Sequence, residues 1–268
     1  MPNSGAEAYW AGTPGSQPDH AFLRDNKLVQ LPQSRSRRLM QTRAHTDRRF
    51  EEDLKMLHQS VLEMGGFVEK QIINAVDALV RRDSDAARRT IDQDHTVNRM
   101  DVEIDDMSLR ILALHQPAAR DLRFITTALK ITTDLERIGD MAVNICERVL
   151  ELNEEPQLKP FIDIPRLADI AQRMLRQSLD AFVREDTDLA LKVCAEDDSI
   201  DALNNQLFRE LLSYMAENPQ TVTRATRLLF VSKYLERIAD HATNIAEMVV
   251  FMVKGKSIRH LDHVPETV

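Results

Sequence analysis

The sequence predicts an all-α protein made of two tandem, similar three-helix bundles, six long helices in total, related by internal duplication. Three observations carry that expectation. First, Leu135-Glu136-Arg137-Ile138-Gly139-Asp140-Met141-Ala142-Val143-Asn144-Ile145-Cys146-Glu147 returns as Leu235-Glu236-Arg237-Ile238-Ala239-Asp240-His241-Ala242-Thr243-Asn244-Ile245-Ala246-Glu247. The polar residues repeat with the apolar ones, although core packing alone would accept any aliphatic residue of suitable size. Second, 43% of residues are hydrophobic but only 5% aromatic, an aliphatic-rich composition that suits helices better than sheets. Third, Gly5, Gly12 and Gly15 cluster near the start, so Gly65, Gly66, Gly139 and Gly255 alone interrupt the remaining chain.

Taken in order, residues 1–45 are rich in Gly, Pro, Ser, Gln and Arg and lack helical apolar periodicity, which predicts a disordered N-terminal extension. Residues 46–152 then form the first bundle. Asp83-Ser84-Asp85 offers an N-cap for its second helix, and Pro117, after His115-Gln116, is placed to open its third. A linker at 153–163 follows, marked by Asn153-Glu154-Glu155-Pro156 and Pro160. The second bundle spans 164–255, with Asp186-Thr187-Asp188 as the matching N-cap and Pro219 as the matching helix opener; 256–268 form a tail. The first turns of the repeat align at an offset of 103 and the last helices at 100, so one connector has lost three residues.

The net charge of -8 argues against general nucleic-acid binding, which needs a clustered basic surface. Residues 1–49 hold eight Lys/Arg against four Asp/Glu, a net +4 that leaves -12 on the rest. Two cysteines, Cys146 and Cys194, without paired spacing predict neither a disulfide framework nor a zinc ribbon, only small packing residues. With no secretory segment and no apolar run approaching the roughly 20 residues of a membrane helix, the expected location is cytoplasmic, and any membrane association comes through partners.

The repeated acidic positions are the candidate site. Glu136, Asp140 and Asn144 lie four residues apart and stack on one helix face, as do Glu236, Asp240 and Asn244. The stripe Ile131, Leu135, Ile138, Ala142, Ile145 and Val149 lies nearly opposite, so the ladder is expected to face away from the bundle core. The second helix of the first half adds Asp94, Asn98, Asp101 and Asp105, and that of the second half adds Asp197 and Asp201. Like charges at this spacing cost a helix about 0.2–0.5 kcal/mol per pair, and a bound cation would reverse that cost. Carboxylate and amide oxygens without His or Cys form a hard site, suited to magnesium, manganese, calcium or ferric iron rather than copper or structural zinc. A solvated acidic face with Arg partners is the alternative reading of the same spacing.

The two phrases Leu-Glu-Arg-Ile-(Gly/Ala)-Asp, each with Asn four residues after the Asp, resemble the signature of the PhoU family. The likeness covers about residues 46–263 and takes in Met64-Gly65-Gly66, His115-Gln116-Pro117, Asp121-Leu122-Arg123 and Val253-Lys254-Gly255. It implies a cytoplasmic homodimeric negative regulator of the phosphate regulon and of high-affinity phosphate uptake, linking the phosphate ABC transporter ATPase subunit to a sensor histidine kinase. It further implies a divalent or trivalent hard metal ion (Mg, Mn, Fe or Zn) held by (Glu/Asp)-x-x-x-Asp motifs, which fall on Glu136/Asp140, Glu236/Asp240, Asp101/Asp105 and Asp197/Asp201. Asn204 and Phe208 stand where the first half has Asp101 and Asp105, so weaker binding or a smaller cluster is expected there.

Two other classes compete. A metal-independent helical adaptor would dock partners through acidic faces and exposed apolar residues. A carboxylate-bridged di-iron bundle enzyme requires Glu-x-x-His pairs, and the chain has none; His241 is replaced by Met141 in the other repeat and reads as a surface or packing residue. No phosphate-cradling loop, nucleophile elbow or Ser/His/Asp arrangement supports catalysis, so the expectation is a regulator and not an enzyme.

Overall fold

The computed structural model describes the backbone of residues 33–258, with side chains from Arg48 onward, and is helical throughout apart from its connections. The helices are α1 (Gln33–Arg81), α2 (Ser84–Asp92), α3 (Asp94–His115), α4 (Ala119–Asn153), α5 (Asp163–Arg184), α6 (Thr187–Glu217) and α7 (Val222–Lys254), with a 3₁₀ turn at Pro219–Thr221. The described residues from Thr46 onward form one compact unit. Helix α1 begins at Gln33, inside the N-terminal segment 1–45, where helix-forming Gln, Arg, Leu, Met and Ala run without Gly or Pro. The earlier residues lie outside those described.

The expected caps form. Asp83 accepts a hydrogen bond from the Ala86 amide at 2.8 Å, and Asp186 accepts from the amides of Asp188 and Leu189. Pro219 opens the 3₁₀ turn that leads into α7, and Pro117 lies just ahead of α4, so each proline precedes the third helix of its half rather than standing within its first turn. The second helix of the first half is split at Gln93 into α2 and α3, whereas its counterpart α6 runs unbroken. Both first helices end on a non-glycine residue in the left-handed region, Arg82 (φ 55) and Glu185 (φ 53), so the duplication extends to backbone detail.

The two halves are not separate beads on a linker. Helix α4 packs along α7, α5 and α6 also pack on α7, and α2 and α3 pack on α4. One continuous apolar cluster runs from Leu57 to Ile258 and includes all six residues of the predicted α4 stripe. Gly65 supports a close approach of α1 to α5: a Cβ there would lie 2.5 Å from Leu179 Cδ1. A Cβ on Gly139 would press on Gln71 and Val97, but one on Gly66 would meet open space, so Gly66 has no such role. His241 is 7% exposed and belongs to the interior, and burial pushes both thiols, Cys146 and Cys194, up to about 12.

Candidate functional site

The groove between α3 and α4 gathers the first-half carboxylates. Glu136, Asp140 and Asn144 are half-buried, which corrects the expectation that the ladder faces away from the core. The reason is the position of α4 between α7 on one side and α2–α3 on another. Asp134, Gly139, Met141 and Cys146 are therefore buried as well as the predicted stripe, and Glu136 and Asp140 are left half-buried on the flank facing α3.

Electrostatically the groove carries an excess of negative charge that Arg137 offsets only in part. Burial raises the Glu136 pKa above the ordinary carboxylate value, and Asp140, Asp101 and Asp94 push it further, with Arg137 acting in opposition. Asp140 is raised by burial and by Asp94, and Asp101 by burial and by Asp105. Asn98 donates to Asp94 Oδ2 at 2.9 Å, while Asp94 Oδ1 is buried with no hydrogen-bond donor among the described residues. Asp94, Asp101, Glu136 and Asp140 are thus electrostatic neighbours, whereas Asn98 and Asp105 lie on the exposed rim of α3.

The second groove, between α6 and α7, is built on the same plan with different charges. Burial raises Asp197, and Asp240 and Asp201 add to the effect; Thr243 donates a weak 3.4 Å hydrogen bond to Asp197 that opposes it. Asp240 is raised by burial, with Lys233 the largest opposing influence. Lys233 ion-pairs with Glu236, and Asn204 donates to Glu236 Oε2 at 3.0 Å. Asn244 is half-buried and Asp201 is exposed on the rim. Lys233 was missed from the sequence; its signal was the contrast with Thr133 at the equivalent position of the first half.

The donor set is carboxylate and amide oxygen, the chemistry of a hard cation. Among the described residues no three His, Cys, Asp or Glu side chains converge closely enough to surround an ion. The fit to a hard metal therefore rests on the excess negative charge of the first groove and the partnerless Asp94 Oδ1, and side-chain rotation about χ1 would be needed to close a coordination sphere. Among the described residues no helix is long and apolar enough to cross a membrane.

The comparisons with known proteins follow the same division into halves. A family model described as PhoU domain matches residues 61–149 and again 164–249. The chain is 41% identical over 218 residues to a phosphate-specific transport system accessory protein PhoU homolog of Pseudomonas putida, covering 81% of this chain and 85% of the relative. It is 37% identical over 217 residues to the phosphate-specific transport system accessory protein PhoU of Escherichia coli (strain K12), covering 81% and 90%. A crystal structure of PhoU from Pseudomonas aeruginosa superposes with a TM-score of 0.75 at 40% identity, covering 77% of this chain and 100% of that one. The phosphate transport system regulatory protein PhoU from Streptococcus pneumoniae gives 0.73 at 30% identity, covering 78% and 99%.

Proposed function

The chain belongs to the PhoU family, and we propose that it is a negative regulator of the phosphate regulon and of high-affinity phosphate uptake. It acts in the cytoplasm as a homodimeric adaptor between the phosphate transporter ATPase subunit and a sensor histidine kinase, and it regulates rather than catalyses. The observation that carries the reading is the pair of PhoU-domain halves, each placing an acidic groove between its second and third helical arms. Exposed Phe208, Leu212 and Phe230 on α6 and α7 add apolar surface of the kind that anchors a partner. Deleting the gene and following a phosphate-starvation reporter in phosphate-rich medium tests the role: output should become constitutive, and output that stays low would sink it.

The same reading assigns a hard cation, Mg, Mn, Fe or Zn, to the acidic grooves. Asp94, Asp101, Glu136 and Asp140 would hold it in the first half, with Asn98, Asn144 and Asp105 at the margins. Asp197, Asp201, Glu236, Asp240 and Asn244 form the weaker second set. A bound ion would supply positive charge that fixes α3 against α4, so the shape of the adaptor surface would depend on metal. Metal content by mass spectrometry, wild type against Glu136→Gln/Asp140→Asn, separates this from a metal-independent adaptor, which would carry no ion and keep partner binding after chelation.

A further inference from the structure

Where α4 begins and α7 ends, α1, α4, α5 and α7 enclose a recess of about 280 Å³. Leu54, Phe124, Val183 and Val253 give it apolar surface, and Phe124 stacks on the buried Phe182 with centroids 5.7 Å apart and planes within 7°. The charges of the lining balance. Arg120 is ion-paired with Glu185, which leaves Lys55 and Asp121, neither of them with a hydrogen bond or ion pair among the described residues. Burial lowers the His58 pKa below the ordinary histidine value, so that ring leaves the balance intact near neutral pH. An occupant suited to this lining is apolar at its centre and carries one charge of each sign beside it.

The chain itself leads back to this place. Val253 is one wall of the recess, α7 ends at Lys254, and Gly255 turns the backbone off the helix axis in the left-handed region (φ 70), its amide donating to Phe251 O at 2.8 Å. Arg123, near the start of α4, holds the same end by donating to Met252 O at 3.1 Å. Beyond the turn the backbone stays on the molecule, since Ile258 is 5% exposed and belongs to the apolar cluster. The residues that follow in the sequence are Arg259-His260-Leu261-Asp262, which set one apolar side chain between a cation and an anion. Leu261 comes eight residues after Val253, a stretch that reaches about 28 Å at most when extended, so a short loop returns it to the recess.

We propose that this recess is the docking site of the chain's own C-terminal segment, with Leu261 seated on Leu54, Phe124 and Val183, Asp262 beside Lys55 and Arg259 beside Asp121. The short connection makes the contact intramolecular, so one leucine and two surface ion pairs suffice where a free peptide of the same sequence would bind weakly. Seated there, the segment closes the recess to any other apolar side chain. Displacing it opens an apolar socket beside the end of α7, which makes the contact autoinhibitory.

The test observes the full chain by nuclear magnetic resonance with leucine methyl groups and phenylalanine rings isotopically labelled. Nuclear Overhauser contacts should join the Leu261 methyls to the Phe124 ring. Val183→Asp, which puts a charge into the wall at an exposed position, should abolish them while the melting temperature holds. Asp262→Lys should weaken them by about twofold or more, the scale of a surface ion pair, and Lys55→Glu/Asp262→Lys, which exchanges the signs of that pair, should bring them back. Leu261 methyls at the shifts of a solvated leucine, without contact to Phe124, would overturn the proposal and leave the recess to a separate protein. Contacts that survive Val183→Asp, or an exchanged pair that restores nothing, would overturn it equally. Contacts found only between differently labelled copies would overturn the intramolecular assignment and give the recess to the tail of a second copy.

Discussion

Asp134 on α4 and His241 on α7 meet across the seam between the two halves, Oδ1 to Nδ1 at 2.9 Å, each 7% exposed. The duplication did not produce this contact. At the equivalent positions stand Tyr234 and Met141, both within or against the apolar core, so the seam is polar on one side of the pseudo-symmetry and apolar on the other. A buried hydrogen-bonded pair of this kind fixes one relative placement of two helices, because sliding either leaves a desolvated group without a partner.

The pair therefore predicts a coupled response. His241→Met leaves the Asp134 carboxylate buried and unpaired and should lower stability by about 2–3 kcal/mol, the cost of an unsatisfied buried polar group that carries charge. Asp134→Tyr/His241→Met, which copies the other side of the seam, should recover more than the sum of the single changes. A urea-denaturation double-mutant cycle measures the coupling, and strict additivity would show that the two groups act independently.

The glycines of Met64-Gly65-Gly66 are expected to part company. Gly65→Ala places a methyl group against Leu179 on α5 and should destabilise by about 1–3 kcal/mol, as overpacking does. Gly65→Ala/Leu179→Ala should relieve the clash without restoring wild-type stability, because the leucine's own burial is lost. Gly66→Ala faces open space on an exposed helix surface and should stabilise by about 0.5–1 kcal/mol. Equal signs for Gly65→Ala and Gly66→Ala in thermal melts would contradict the packing described here.

What could be read from the chain beforehand was what is locally encoded. Asp83 and Asp186 cap helices through amides two or three residues away, and the stripe from Ile131 to Val149 follows from helical period alone. The direction of the ladder was misjudged because a single-helix projection contains one apolar face, whereas α4 is covered from more than one side. The break at Gln93 leaves no Gly or Pro in the sequence; Gln93 keeps a right-handed backbone (φ -81, ψ -10) and only the hydrogen-bond ladder is interrupted. The Asp134–His241 contact joins residues 107 apart, beyond the reach of any local pattern.

Raised carboxyl pKa values give the first groove a definite pH signature. Glu136 and Asp140 bind protons more tightly in the folded chain than in the unfolded one, first because of burial and then because of neighbouring carboxylates. Their contribution to stability is therefore full below the ordinary carboxylate range near pH 4 and is lost as pH rises through the raised values. Glu136→Gln/Asp140→Asn should melt about 2 °C or more above wild type at pH 7 without metal, with the gap closing toward about pH 4. Added Mn²⁺ should close the same gap at pH 7 by raising the wild-type melting temperature alone. A gap that does not change with pH would remove the electrostatic account of the groove.

Lys233 makes the opposite forecast for the second groove. Its ammonium already sits on Glu236, and Asn204 holds the same carboxylate, so an incoming ion must displace a resident cation. Lys233→Thr restores the residue type found at position 133. The pair is partly exposed, with the Lys233 side chain at 56%, so its loss should change stability by less than about 1 kcal/mol. Cation binding should respond much more, because Lys233 is the largest influence opposing the raised pKa of Asp240 and its removal leaves only the smaller influences of His241 and Arg237 against that charge. Counting bound Mn²⁺ by electron paramagnetic resonance should show additional binding in the variant, lost again in Lys233→Thr/Asp240→Asn. An unchanged count would mean that Asn204 and Phe208, in place of two carboxylates, disable the second groove by themselves.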